Sequence, residues 1–238
     1  MWDKKKYGFV GAVTLFALTQ AVLGWGVQVT SGRINAWVCY SVIILSFLFS
    51  LASLLPVFGR GDILITAGLA FTLLADWCLV IEDPIRPLLA MVFFNGTQLC
   101  YAGAVYRRQG GRVEKMTHIW LRVGLSATVV AVVFAILGKG ADALSVISMI
   151  YYVNLLLNCL FSFLQGRRGV LLGIGFLLFA LCDVFVGLGN LDMYFNIAEG
   201  SLVWQLIHTP LNMAWIFYVP SQTIIAISGA TAKLSRID

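Results

Sequence analysis

The stretch Ile63-Leu64-Ile65-Thr66-Ala67-Gly68-Leu69-Ala70-Phe71-Thr72-Leu73-Leu74-Ala75-Asp76-Trp77-Cys78-Leu79-Val80-Ile81 decides how this chain folds. It is an unbroken apolar run containing a single charge, and a helix needs about 20 such residues to cross a bilayer. Hydrocarbon offers no partner to a bare N–H or C=O, so the run must close its own hydrogen bonds as a helix. A barrel strand would be shorter and would alternate polar with apolar residues.

The rest of the chain reads the same way. Of 238 residues, 60% are hydrophobic and 11% charged, with a mean hydropathy of +0.91. Soluble domains run at roughly 45–50% apolar and about 25% charged. This balance excludes an ordinary soluble enzyme, a disordered tail and a secreted disulfide scaffold. Eight apolar segments are predicted: 7–27, 34–55, 63–81, 85–106, 116–137, 144–164, 170–188 and 202–228. Polar or Gly-containing punctuation separates them, such as Ser31-Gly32-Arg33, Gly59-Arg60-Gly61-Asp62 and Glu82-Asp83-Pro84. The expected architecture is therefore all-α: one polytopic domain of eight transmembrane helices covering residues 1–238. The first segment is too long for a signal peptide's apolar region and lacks a clear cleavage site, so it reads as a mature helix. The five cysteines lie within apolar runs without C-x-x-C spacing, which suits reduced packing residues rather than a zinc or redox site.

Basic residues give the orientation. One side collects Lys4, Lys5, Lys6, Arg60, Arg107, Arg108, Arg112, Lys115, Arg167, Arg168, Lys233 and Arg236. The other has Arg33, Arg86 and Lys139, while Arg122 sits inside the fifth segment, nearer the first side. Cytoplasmic loops carry the excess of Lys and Arg, so both termini are expected in the cytoplasm, as an even number of spans requires. The formal charge of +5 then serves topology, and no nucleic-acid partner is expected. The expected location is a bacterial inner membrane.

The third and seventh segments echo each other, Leu74-Ala75-Asp76-Trp77-Cys78-Leu79 against Ala180-Leu181-Cys182-Asp183-Val184-Phe185. Each carries one acid at matching depth in helices running the same way, which admits a pair of parallel four-helix repeats. A carboxylate inside a span costs a few kcal/mol and usually marks function. Asp76 and Asp183 are the only acids well inside apolar runs; Glu82, Asp83, Asp192 and Glu199 sit at the boundary away from the basic side. Either each aspartate is a protonated interhelical donor, or the two face each other. Facing carboxyls in low dielectric resist ionising together, so one keeps a proton while the other acts as a base. That arrangement suits acid–base hydrolysis of a lipid bond.

Other polar residues are candidates to line the same cavity and bind substrate. They are Asn95, Gln98 and Tyr101 in the fourth segment, Asn154 and Asn158 in the sixth, and Asn212, Tyr218 and Gln222 in the eighth. Each of these also suits plain glue between helices. Gln205 and His208 share the eighth segment, His208 near its outer boundary. With only His118 and His208 in the chain, no metal site and no cofactor are expected.

These residues give the chain a resemblance to the YhhN-like family of eight-span membrane proteins, the lysoplasmalogenases. The run Leu73 to Leu79 resembles the family's Gly-Asp segment, with Ala75 where Gly is usual. Phe94 to Tyr101 resembles the following helix, with Gln98 where the family typically has His. Phe179 to Asp183 resembles a Ser-Asp segment, with Cys182 replacing Ser, and Tyr218-Val219-Pro220-Ser221-Gln222 resembles a Tyr-Tyr-x-Ala-Gln ending. The resemblance implies a hydrolase that cleaves the vinyl ether of a lysophospholipid, releasing a fatty aldehyde and a glycerophospho-alcohol, with Asp76 and Asp183 catalytic. Lipid substrate and bilayer are the expected partners. A transporter with a proton relay through the two acids, and a catalytically silent lipid-binding relative, are the competing readings. Gln98 favours the silent relative because a glutamine does not titrate near neutrality.

Overall fold

A computed structural model describes residues 2–55, 61–109, 114–191 and 194–232, with the backbone alone for residues 2–6. Arg60, Arg112, Asp192, Lys233 and Arg236 lie outside the described residues, as do the side chains of Lys4, Lys5 and Lys6. Nine α-helices occur among the described residues: α1 (Trp2–Val29), α2 (Gly32–Ser53), α3 (Ile63–Asp76), α4 (Pro87–Arg108), α5 (Lys115–Leu137), α6 (Ala143–Phe163), α7 (Val170–Gly189), α8 (Leu202–Ile207) and α9 (Met213–Ala230). Every one except α8 belongs to a segment long and apolar enough to cross a membrane, so the protein is an integral multi-pass membrane protein.

Local chemistry sets the helix ends. Asp62 caps α3 by accepting from the Leu64 N–H at 3.0 Å, and Asp142 forms a reciprocal capping box with Ser145 at α6. Pro87 occupies the first turn of α4, where a missing N–H costs nothing, and so that helix starts two residues later than expected. The eighth segment departs further from its expected 202–228. It breaks into the six-residue α8 and the span α9, because Pro210 has no N–H and disfavours helical geometry at Thr209. Beyond Asp76 the third span changes pitch: Trp77–Ile81 is a π-helical turn, closed by Glu82 N–H on the Trp77 carbonyl at 3.0 Å.

Six helices form a closed ring in the order α2, α3, α4, α6, α7, α9, with α9 returning to α2. Outside the ring, α1 leans on α2 and α9, and α5 leans on α6. The ring maps onto itself when α2, α3 and α4 are exchanged for α6, α7 and α9. Residue positions obey the same exchange. Asp76 is thirteen residues beyond Ile63 and Asp183 thirteen beyond Val170, while Tyr40 and Tyr151 each lie eight beyond the first residue of α2 and α6. Thr97 Oγ1 donates to the Gly68 carbonyl at 3.3 Å, and Ser221 Oγ donates to the matching Gly175 carbonyl at 2.9 Å. Both glycines are required by close approach. A Cβ on Gly68 would lie 2.2 Å from the Tyr101 ring, and one on Gly175 would lie 2.8 Å from Ile225. The echo between the third and seventh spans thus extends to whole helix triplets.

One end of the bundle carries the described arginine pairs and is called the basic end here. There the buried Asp62 is held by Arg107 and, at 3.3 Å, by Arg108, which also donates to Ser228 at 3.1 Å. The cluster ties α3, α4 and α9 together where the span enters polar surroundings.

Candidate functional site

Asp76, the last residue of α3, is buried, and the Tyr218 hydroxyl of α9 donates to its Oδ2 at 2.6 Å. Asp183 of α7 is half-buried and accepts from the Tyr151 hydroxyl of α6, also at 2.6 Å. Both distances lie at the short side of the range for a hydroxyl donating to a carboxyl oxygen. No hydrogen bond joins Asp76 to Asp183. The two acids therefore do not share a proton directly, as a facing pair would; each is instead held by its own phenol.

An aromatic partition lies against both pairs. Phe179, one turn before Asp183 on α7, meets Tyr218 edge-on at 5.4 Å between ring centroids and Tyr151 at 6.3 Å. Phe94 of α4 packs against Tyr151 at 5.4 Å and Phe179 at 6.0 Å. Phe94 is the position that matches Tyr218 under the ring's two-fold exchange. The two halves thus differ where it matters: an oxygen from the opposite half reaches Asp76, whereas a bare ring stands in the equivalent place beside Tyr151. On the outer side of Asp76, Tyr40 meets Trp77 edge-on at 5.6 Å and donates to the Leu73 carbonyl at 3.3 Å.

The remaining sequence candidates do not gather in one place. Gln98 and Asn158 are joined, Asn158 Nδ2 donating to Gln98 Oε1 at 2.9 Å and to its carbonyl at 3.0 Å. Asn154 lies one turn earlier on α6 and, with Asn158, accepts from Arg122. Gln222 is fully buried with neither amide atom hydrogen-bonded, so it retains capacity for a polar guest. Tyr101 is buried against Phe176 and the face opened by Gly68, a packing position. Asn95 donates to the Met91 and Ile147 carbonyls and stitches α4 to α6. Asn212 is the clearest departure. The break before α9 puts it at the exposed mouth of the bundle, where its N–H donates to Gln28 Oε1 at 2.9 Å, away from both acids.

His118 stacks on Phe161 at 3.8 Å and His208 on Trp204 at 4.3 Å, and no cluster of three metal-ligating side chains occurs among the described residues. Tyr151 escaped the sequence reading, although a hydroxyl in mid-span offset like Tyr40 was a usable signal.

Fold and site together define a polytopic membrane protein whose interior holds two carboxyl–phenol pairs around one aromatic partition. The chain matches the YhhN family over residues 35–229 and belongs to that family. Comparison with curated proteins and with solved structures gave no match.

Proposed function

We propose that this protein hydrolyses the vinyl ether of a lysophospholipid within the membrane, as family membership and the two carboxyl–phenol pairs together support. A vinyl ether is inert to hydroxide but yields once its β-carbon receives a proton. One aspartic acid donates that proton, and the electron pair of the C=C bond forms the new C–H bond. The resulting oxocarbenium ion is stabilised by the second carboxylate, which then accepts a proton from the water that adds to it. The hemiacetal collapses to a fatty aldehyde and a glycerophospho-alcohol. Tyr151 and Tyr218 orient the carboxyl groups, and the unpaired amide of Gln222 offers the water a partner.

The observation carrying the proposal is a pair of interior acids that contact phenols rather than basic residues. Ionisable side chains inside spans are costly and rare, and they mark functional sites by default. In this reading the basic end faces the cytoplasm of a bacterial inner membrane. The test is incubation of the purified protein with vinyl ether, alkyl ether and ester lysophospholipids, followed by mass spectrometry. Aldehyde from the vinyl ether substrate alone is expected; no aldehyde between about pH 4 and 9, the range flanking ordinary carboxyl and histidine titration, would refute it.

A second reading rests on the two-fold ring, since parallel repeats about an axis along the membrane normal also build transporters. Flux of an intact lysolipid into proteoliposomes without aldehyde formation would favour it.

A further inference from the structure

Arg122 lies seven residues into α5, about 10 Å along the helix from Lys115. Its guanidinium does not stretch back to the basic end. Nη1 donates to Asn154 Oδ1 at 2.9 Å and Nη2 to Asn158 Oδ1 at 2.7 Å. Those acceptors are neutral amides, and no acid pairs with Arg122 among the described residues. A guanidinium has five N–H donors; three bonds engage the Nη atoms, and the buried Nε has no partner. One turn earlier on the same face, the buried His118 also has an unpartnered Nε2. Both side chains lean on one ring, His118 stacked on Phe161 and the Arg122 guanidinium 5.8 Å above it.

Amides satisfy hydrogen bonds but do not neutralise charge. An arginine without a counter-charge inside a span is costly and is normally kept for a function. Position says more. Asn154 and Asn158 follow Tyr151 by three and seven residues on α6, which puts the guanidinium roughly 5–10 Å below the Tyr151–Asp183 pair along that face. α5 meets the ring chiefly at α6, with His118 also edge-on to Tyr106 of α4, and its apolar stretch is the least buried of any span. The cation is thus placed for a molecule entering sideways from the lipid.

We propose that Arg122, with His118 beside it, binds the phosphodiester of a lysophospholipid headgroup. This rests on the hydrolase reading for the identity of the lipid. Planar guanidinium donors match phosphate oxygens in pairs. With the phosphate held there, the glycerol runs toward Tyr151 and brings the bond on its far carbon to Asp183.

The test uses the full chain in nanodiscs and equilibrium binding of three probes: an alkyl ether lysophosphocholine that the enzyme cannot cleave, the corresponding monoalkylglycerol, and inorganic phosphate. R122Q is expected to weaken lysophosphocholine binding about 10–100-fold, the range for losing a charge-assisted hydrogen bond, and to leave monoalkylglycerol binding unchanged. R122K keeps the cation without the planar fork, reports should R122Q not fold, and is expected to weaken binding about tenfold. Wild-type affinity for lysophosphocholine in either variant would overturn the assignment. So would inorganic phosphate binding as tightly as the lysolipid, which marks a site for a free anion. Failure of the hydrolase reading looks different: lysolipid binds through Arg122, yet vinyl ether lysolipid yields no aldehyde.

Discussion

Replacing Asp183 or Asp76 by Asn separates chemistry from architecture. The carboxamide keeps the shape of the side chain, and its oxygen still accepts from the tyrosine that now donates at 2.6 Å. What is lost is the extra strength of a bond to a charged acceptor, about 1.5–3 kcal/mol against 0.5–1.5 for a neutral one. The cost of holding a carboxylate in low dielectric disappears in the same exchange. Net stability should therefore change by no more than about 1–2 kcal/mol, a loss the fold survives. A carboxamide, however, neither delivers nor accepts a proton, and general acid–base groups contribute about 10²–10⁴-fold to rate. D183N and D76N should each cut aldehyde release from vinyl ether lysolipid by at least about 100-fold, while eluting and melting close to wild type. Y151F keeps the acid and removes only its orienting donor, so its loss should be smaller, about tenfold. The assay is initial aldehyde release at saturating lipid, with a thermal melt on each preparation. If either Asn variant kept more than about a tenth of the wild-type rate, no proton would pass through that carboxyl and the mechanism would fail.

G68A puts a Cβ 2.2 Å from the fully buried Tyr101 ring and should cost about 1–3 kcal/mol, read as a lowered melting temperature. D62N strands the arginine side of the basic-end cluster and should approach the roughly 3 kcal/mol seen when a buried ion pair loses one partner, with residual activity retained below the new melting point. At the opposite end, the Ser145 backbone N–H and side chain hold the exposed Asp142 carboxyl below the usual carboxylate range. The sign follows: its capping contribution is complete above the unfolded value of about 3.9 and fades as pH falls through the lower folded one. Amide exchange at the start of α6 should therefore quicken only in that acid range, and D142A should quicken it at neutral pH too.

Eight spans and two interior acids were legible because both rest on magnitude. Twenty apolar residues have one stable arrangement in lipid, and a carboxylate there is too costly to be incidental. The break before α9 was not legible, since Leu211, Met213 and Ala214 continue the apolar run across Pro210 and hydropathy ignores the missing N–H. Asn212 was misplaced for the same reason. Tyr151 and Arg122 stayed hidden differently. Tyrosine reads as packing in an apolar segment, and arginine reads as a topology signal, until neighbours show which atoms each one meets. The two-fold ring was only hinted at because its matches lie in spacing between helices, while the letters themselves have diverged, as Phe94 and Tyr218 show.

The π-helical turn at Trp77–Ile81 gives this ring its direction. Up to the acid, α3 and α7 keep step; past it, α3 carries a wider coil and α7 continues unchanged to Gly189. The wider turn takes up the last five residues of that span, leaves Trp77 on the surface of the bundle and seats Cys78 inside, with the Arg86 N–H fastened to the Cys78 carbonyl at 2.9 Å. The two halves, alike as far as the acid, therefore part company beyond it, so a long asymmetric molecule settling between them meets two unlike walls.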